Sequence, residues 1–416
     1  KEEIHPNYKE IYLEEILPYI RLLHRCVEMV MMNYNTRKKL STHIAQNVLK
    51  NIPFICEGYH VQELAKVIPK DRAAVLISAG PSLNKNIGEL KKAKNRLFLV
   101  AVDTAIKPLL REGIVPDAFG TIDAKKPLDL IDVKGAADIP IIAPPAALNA
   151  MIKHQKGKRI FFSDEHLIPE KVYSLNDKKF PMLEMGGSVA CMLFSRLYRM
   201  NFQTIILVGQ DLAFTSNKSH ADGTFQEKMP EENTKGMRMV KGNYEDRVPT
   251  PAYFKAFLDW FEDFINGGKI YRSGFRVINA TEGGAYIKGT EVMTLREALE
   301  ETCEGVEEVG FADKIEGMEP AFHKDEQTKA MEYLAKIPGN FDKIVKESEN
   351  LRKIYQKLQK VGKSGGAEKD SCRKQLLKIK KITKKITAMP EYQLIEVSMP
   401  VADYILRNEY FYESKD

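Results

Sequence analysis

The segment from residue 71 to residue 290 alternates short runs of apolar, often β-branched residues with amphipathic stretches long enough to form helices. Turns rich in Gly or Pro separate the two kinds of segment. This alternation is typical of parallel β-α-β units, in which helices cover both faces of a sheet. We therefore predict an α/β fold with a mostly parallel sheet, which binds its ligand at the carboxyl ends of the strands. Seven strands are predicted, over residues 74–78, 97–102, 118–122, 139–143, 159–163, 204–208 and 276–279.

The two ends of the chain have a different pattern, which predicts helical regions on either side of this core. Residues 7–50 place apolar side chains at three- and four-residue steps, as an amphipathic helix does. Beyond Lys324 two apolar stripes of helical spacing are separated by GKSGGAEKD, which predicts a helical hairpin. We divide the chain into a helical lead-in (1–70), the α/β core (71–300) and a carboxyl-terminal helical domain (301–416). The polar segment 213–251 is too long for a connector and predicts a lid or a binding loop.

Composition narrows the class of protein. Apolar residues make up 44% of the 416 residues, which is ordinary for a globular protein, and no apolar run approaches the roughly 18 residues that span a bilayer. The five cysteines are scattered and form no C-x-x-C pair, so neither a disulfide framework nor a zinc site is expected. No apolar signal segment opens the sequence. We expect a soluble, cytoplasmic protein without a membrane span.

Positive charge is concentrated in the predicted hairpin. Residues 351–390 contain thirteen Lys or Arg and two acidic residues, so the net charge of +6 belongs to this segment and the rest of the chain is mildly acidic. Such a distribution does not indicate a nucleic-acid-binding protein. The hairpin could guide an acidic protein partner, or it could be a solvated face on a packed pair of helices.

The sequence SAGPSL follows the first predicted strand and contains candidate phosphate ligands. Gly80 leaves the backbone open to a ligand, and Pro81 suits the first turn of a helix because that position needs no amide donor. Ser82 and the free amides at the start of that helix could then bind a nucleotide phosphate. The alternative is that Gly-Pro-Ser only begins a helix.

Carboxylates follow the next two strands. One strand ends at Asp103 and Thr104 and the next at Asp123, so both acids are expected at the same edge of the sheet as Gly80. A carboxylate there can accept hydrogen bonds from sugar hydroxyls, bind Mg²⁺ or act as a base. Asp103 could instead cap the helix that follows it, whereas the two lysines and the proline after Asp123 do not favour a capping role.

A third unit, GGSVACMLFSRLYRM followed by TIILVGQD, adds candidates at this edge. Gly187 and Ser188 precede a helix and present an amide and a hydroxyl, although Ser188 could be no more than an N-cap. Asp211 follows the strand at 204–208. His220 lies in the polar segment beyond it and is either a general acid or base, or an ordinary exposed histidine.

Five motifs occur in the order and spacing of a known family. SAGPSL, VDTAIKPLLREGIVPDAFGTIDA, GGSVA, GQDLAF with HADGT, and INATEGGAYIKGT resemble the motility-associated factor (Maf) family of flagellin glycosyltransferases. The resemblance covers about residues 50–300 and implies a Rossmann-like core similar to that of family 42 sialyltransferases, which use a Gly-Pro-Ser-Leu loop for the phosphate of a CMP-sugar. Ser78 departs from the pattern, because related loops commonly begin with Gly.

The resemblance also implies an activity: transfer of a nonulosonic acid, of the pseudaminic or legionaminic type, from a CMP-activated donor to Ser or Thr of flagellin before export. No other cofactor is expected, and a divalent metal is left open. The expected phosphate ligands are Gly80, Pro81 and Ser82. The expected ligands of the nucleotide or donor sugar are Asp103, Thr104, Gly187 and Ser188. The groups expected to act as acid or base, or to contact the acceptor, are Asp123, Asp211 and His220.

Two alternatives remain at this point. The same core resembles archaeal pterin pyrophosphokinases, in which aspartates such as Asp103 and Asp123 would hold Mg²⁺ for diphosphate transfer from ATP. The large helical carboxyl-terminal region argues against that activity, since a small metabolite does not require it. The chain could also be a non-enzymatic flagellin chaperone that uses its helical ends.

Overall fold

The computed structural model describes residues 12–215, 218–224, 236–363 and 369–392. Its centre is a nine-stranded sheet with the order β1-β6-β5-β4-β3-β2-β7-β10-β11, and every pairing in it is parallel. The predicted α/β class is confirmed. The strands are β1 (Tyr59–His60), β2 (Ala74–Ile77), β3 (Phe98–Val102), β4 (Ala118–Gly120), β5 (Ile141–Ala143), β6 (Arg159–Phe161), β7 (Thr204–Val208), β8 (Arg238–Val240), β9 (Val248–Thr250), β10 (Arg276–Asn279) and β11 (Glu291–Val292).

All seven predicted strands are present, and each lies within its predicted bounds. The prediction missed β1 and β11, which are two residues long and form the edges of the sheet. It also missed β8 and β9, an antiparallel pair separate from the main sheet. This pair belongs to the polar segment 213–251, of which residues 216–217 and 225–235 lie outside the described residues.

Strands β2 and β3 form the middle of the core. Every residue of AVLI in β2 and of FLVAV in β3 is buried. A strand whose two faces are both covered by helices has no polar face, which explains why these segments are continuously apolar rather than alternating.

Twelve helices are described: α1 (Leu13–Glu57), α2 (Val61–Val67), α3 (Leu83–Asn86), α4 (Ile106–Arg111), α5 (Asn149–His154), α6 (Leu167–Ser174), α7 (Val189–Arg199), α8 (Ala252–Tyr271), α9 (Leu295–Cys303), α10 (Phe311–Glu316), α11 (Lys324–Lys363) and α12 (Lys369–Thr387). Short 3₁₀ turns occupy Ile87–Ala93, Asp103–Ala105, Leu128–Leu130 and Ala136–Asp138. Helix α7 packs across β2, β3, β4 and β7. No helix among the described residues carries an apolar stretch long enough to cross a bilayer.

The carboxyl-terminal part of α1 is anchored to the core. The amide of Asn47 donates to the carbonyl of Ala124 at 2.9 Å, and that of Asn51 donates to the carbonyls of Pro145 and Ala147 at 2.9 and 2.8 Å. These carbonyls lie in the loops after β4 and β5. The lead-in helix therefore supports the loops at the carboxyl edge of the sheet.

The predicted hairpin corresponds to α11 and α12, which pack against each other. Lys385 of α12 forms an ion pair with Glu347 of α11. Residues 364–368, within the segment expected to join the two helices, lie outside the described residues.

Candidate functional site

The carboxyl ends of β2 and β7 lie side by side where the order of the strands reverses. From β2 the chain runs outward through β3, β4, β5 and β6, and it then returns to the other side of β2 with β7. Loops that leave two such strands diverge and open a crevice, which is where open parallel sheets bind ligands. A cavity of about 300 Å³ lies at this point.

Loops from several strands contribute to this cavity. Eight of the ten residues predicted from the sequence line it, namely Gly80, Asp103, Thr104, Asp123, Gly187, Ser188, Asp211 and His220. They follow β2, β3, β4 and β7 or lie at the start of α7. The structure thus brings these residues together, while their individual roles stay predictions. Pro81 and Ser82 are described but do not line the cavity.

Asp211 is a buried carboxylate that accepts hydrogen bonds from three donors. Its Oδ2 accepts a hydrogen bond of 2.6 Å from the Ser82 hydroxyl, and its Oδ1 accepts one of 2.8 Å from the Thr215 hydroxyl. The Ser82 amide lies 3.3 Å from Oδ1. Burial raises the pKa of Asp211 to about 6, although these donors oppose the rise. The Ser82 hydroxyl and amide, predicted as phosphate ligands, are therefore engaged by Asp211.

Gly80 is required by the close approach of the loops that follow β2 and β7. Its amide donates to the carbonyl of Gly209 at 2.8 Å. A β-carbon at position 80 would overlap Oδ2 of Asp211 and the Gly209 carbonyl, so a larger residue does not fit without displacing the carboxylate. The glycine allows the carboxylate to lie against the backbone of the SAGPSL loop.

Asp103 is fully buried at the end of β3. It accepts hydrogen bonds of 2.8 Å from the Thr104 amide and the Thr121 hydroxyl, and Lys126 Nζ lies 2.7 Å from its Oδ1. Its side chain does not cap α4, which is the alternative that the sequence left open. Asp103 instead connects β3 with the loop after β4.

Lys126 was not predicted as a site residue. Its Nζ also lies 3.3 Å from Oδ2 of Asp123, whose side chain is 49% exposed. Burial favours the neutral amine, but the carboxylates of Asp103 and Asp123 outweigh that effect and raise the pKa of Lys126. The lysine is therefore charged at neutral pH, and no other Lys or Arg among the described residues lines the cavity.

Ser188 is the N-cap of α7, as the more conservative interpretation of the sequence proposed. Its hydroxyl accepts a hydrogen bond of 3.1 Å from the Cys191 amide. Gly187 and Ser188 nevertheless border the cavity, together with Val189 and Ala190 of the first turn. The amino terminus of this eleven-residue helix therefore meets the cavity, where its dipole favours a negatively charged group.

His220 is partly buried rather than fully exposed. Its Nδ1 lies 3.0 Å from the Ser219 hydroxyl, and the next residue in the chain, Ala221, donates its amide to the carbonyl of Ala79 at 2.8 Å. Burial, reinforced by the charge of Lys126, lowers the pKa of His220 to about 4. Its imidazole is therefore neutral at pH 7 and lies on a loop fixed to the end of β2.

Two aromatic side chains complete the cavity and were also missed. Phe254 and Phe257 lie three residues apart on α8, so that both point to the same side of the helix and line the cavity. The amphipathic sequence AYFKAFLDW could have indicated a buried helix face, but nothing in it distinguishes a cavity wall from core. Among the described residues, no three His, Cys, Asp or Glu side chains are arranged to hold a metal ion.

Comparison with protein families identifies part of this region. Residues 46–217 match the model of the family described as 6-hydroxymethylpterin diphosphokinase MptE-like. The match covers less than half of the chain, and it includes the sheet from β1 to β7 and every predicted site residue except His220. No curated protein matches the sequence.

Most of the structure is similar to that of a Maf glycosyltransferase from Magnetospirillum magneticum AMB-1. The TM-score is 0.51 at 13% sequence identity, and the similarity covers 86% of this chain and 52% of the other. This chain therefore spans about half the length of that protein. At this level of identity the similarity concerns the fold, and in the fold it confirms the resemblance to the Maf family that the motifs predict.

Proposed function

We propose that this protein is a glycosyltransferase that moves a nonulosonic acid from a CMP-activated donor to Ser or Thr of flagellin in the cytoplasm. The observation that carries the proposal is the cavity at the switch point of a Maf-like fold, because it gathers carboxylates, a lysine, a neutral histidine and a helix amino terminus in one place. Such groups suit a substrate with a phosphate, several hydroxyls and a transferable proton.

The cavity has two chemically different walls, which match the two halves of a nucleotide sugar. Phe254 and Phe257 offer an aromatic surface on which a base or a sugar ring can pack. On another side, Gly187 and Ser188 present the amino terminus of α7, which suits an anionic group of the donor. The donor would therefore lie across the carboxyl ends of β2 and β7.

Transfer requires that the sugar leave the phosphate of CMP while a hydroxyl attacks and loses its proton. The transition state has oxocarbenium character, so the enzyme must stabilise the departing phosphate and accept the proton. His220 borders the cavity and is neutral at pH 7, so it can accept the proton as a weak base, and the half-exposed carboxylate of Asp123 is the second candidate. Asp211 is engaged by Ser82 and Thr215, so we assign it a positioning role.

A direct assay tests this proposal. The protein is incubated with flagellin and CMP-activated pseudaminic or legionaminic acid, and the intact mass of flagellin is measured. We expect a gain of one or more nonulosonate residues, and a large loss of rate for His220→Gln with the exposed His323→Gln as the matched control. No mass gain with either donor, from a preparation that binds CMP, would contradict the transferase activity.

A second candidate function is diphosphate transfer from ATP to a pterin alcohol. The match of residues 46–217 to the MptE-like family favours it. In that activity Asp103 or Asp123 would act near Mg²⁺ bound with the nucleotide. Thermal unfolding separates the two candidates, because stabilisation by ATP with Mg²⁺ and not by CMP would support the diphosphokinase and exclude the CMP-dependent transferase.

A further inference from the structure

Lys126 contacts two carboxylates, and one of these contacts is stronger than the other. Its Nζ lies 2.7 Å from Asp103 and 3.3 Å from Asp123. Asp103 is fully buried and fixed by the Thr104 amide and the Thr121 hydroxyl, whereas the side chain of Asp123 is 49% exposed to solvent. A buried, multiply bonded pair is difficult to separate, but an exposed ion pair contributes little and exchanges readily. The bond of Lys126 to Asp103 is therefore stable, whereas its contact with Asp123 can be replaced by a contact with another group.

Among the charged side chains at the cavity, Lys126 is the one that can attract an anionic ligand. Three carboxylates line the cavity, and among the described residues Lys126 is the only Lys or Arg that does so. Apart from Lys126 and the amino terminus of α7, the charged groups among the described residues at the cavity are carboxylates, which repel an anion. An ammonium group has three N–H donors, and the bond to Asp103 leaves the others available to a ligand that displaces Asp123.

We propose that Lys126 binds the phosphate of the donor nucleotide by exchanging Asp123 for a phosphate oxygen while it keeps its bond to Asp103. The inference rests on the proposed function in so far as the donor is a nucleotide. The exchange keeps the number of ion pairs constant, so the lysine charge is compensated before and after binding. It also frees the carboxylate of Asp123, which borders the cavity.

Matched nucleoside and nucleotide pairs test the exchange, because they isolate the contribution of the phosphate. The affinities for cytidine and CMP, and for adenosine and AMP, are measured by calorimetry with the full chain. We expect Lys126→Met to weaken nucleotide binding by roughly ten- to a hundredfold, the usual cost of losing a hydrogen bond to a charged group, and to leave nucleoside binding unchanged. Lys126→Arg should retain most of the affinity, and Lys125→Met, at an exposed neighbour outside the cavity, should match the wild type.

A second variant leaves the buried pair intact and gives an independent result. Asp123→Asn removes the group that the phosphate displaces, so CMP should bind several-fold more tightly while cytidine binding is unchanged. Equal losses for nucleoside and nucleotide in Lys126→Met, or unchanged CMP binding in Asp123→Asn, would overturn the exchange.

If AMP shows a Lys126-dependent gain over adenosine while CMP does not bind, the inference stands and the CMP donor of the proposed function fails. If neither nucleotide binds more tightly than its nucleoside, the inference itself is wrong.

Discussion

The hydroxyl of Ser82 donates a hydrogen bond of 2.6 Å to Oδ2 of Asp211. One residue follows β2 and the other follows β7, so this bond joins the two loops that diverge at the switch point of the sheet. Asp211 is only 2% exposed, and a buried carboxylate depends on its donors because water cannot replace them. The SAGPSL loop therefore holds a neighbouring carboxylate in place, and this contact shapes the wall of the cavity.

Loss of the Ser82 hydroxyl should destabilise the protein. In Ser82→Ala the buried carboxylate of Asp211 keeps the Thr215 hydroxyl but loses its shortest hydrogen bond. We expect the free energy of unfolding to fall by about 1–3 kcal/mol, as for other buried groups deprived of a partner. Urea unfolding at pH 7.5 measures the change. Ser174→Ala removes an exposed hydroxyl and serves as the control, with a change below about 0.5 kcal/mol; equal effects of the two variants would refute the role of the Ser82 hydroxyl.

A β-carbon at position 80 should also disturb the contact between Ser82 and Asp211, because it would displace the Asp211 carboxylate. The β-carbon of Gly80→Ala would overlap Oδ2 of Asp211, so either the loop or the carboxylate must move. We expect a loss of roughly 1–3 kcal/mol of stability, as overpacking usually causes, together with weaker binding of CMP. Gly88→Ala is the matched control, because a β-carbon there meets nothing within 4 Å. A Gly80→Ala variant as stable as Gly88→Ala would show that the loops are looser than the structure indicates.

The main strands could be predicted from the sequence because burial leaves a local signal. Segments such as AVLI and FLVAV are apolar on both faces, and a polar residue, Ser78 or Asp103, directly follows each. Short edge strands such as β1 and β11 carry no such signal, since two residues do not form a pattern and their pairing depends on distant segments. The strand order is also long-range information, and with it the neighbouring positions of β2 and β7.

The site was predictable as a set of residues but not as a set of contacts. A carboxylate within three residues of the end of a buried strand indicates the carboxyl edge of the sheet, which is why Asp103, Asp123 and Asp211 were found. Lys126 lies six residues beyond the end of β4, in a loop where lysines are ordinarily solvated, and only the fold places it on Asp103. For the same reason the sequence assigned Ser82 to a ligand, because its partner Asp211 lies 129 residues away.

Acidification should act on His220 with a definite sign. Burial lowers its pKa from 6.5 to about 4, so its contribution to stability is complete above pH 6.5 and is lost as the pH falls through 4. His220→Gln removes that loss. Relative to the wild type, we expect the variant to gain about 2–3 kcal/mol in free energy of unfolding between pH 7 and pH 4, at ~1.4 kcal/mol for each unit of pKa. Urea unfolding at several pH values measures the difference, and a constant difference would show that the folded histidine titrates normally.

Asp211 should produce the opposite trend in the same range of pH. Burial raises its pKa from 3.8 to about 6, so its contribution is complete below pH 3.8 and is lost as the pH rises through 6. Wild-type protein gains from protonation of this carboxyl on acidification, whereas Asp211→Asn cannot. Between pH 7 and pH 4 the variant should therefore fall behind the wild type by a few kcal/mol in free energy of unfolding. Since other titrating groups are common to both proteins, parallel pH profiles would contradict the raised pKa.

The aromatic wall of the cavity, formed by Phe254 and Phe257, should contribute equally to the binding of nucleosides and nucleotides, because it carries no charge. Phe257 lies one turn beyond Phe254 on α8 and lines the cavity, so Phe257→Ala removes packing surface but no charge. We expect the affinities for cytidine and for CMP to fall together by roughly two- to tenfold, the usual range for an aromatic contact. This pattern differs from the phosphate-specific loss expected for Lys126→Met. Tyr271→Ala, at the exposed end of the same helix, is the control for stability and binding. Unchanged affinities in a stably folded Phe257→Ala would place the base on a different wall of the cavity.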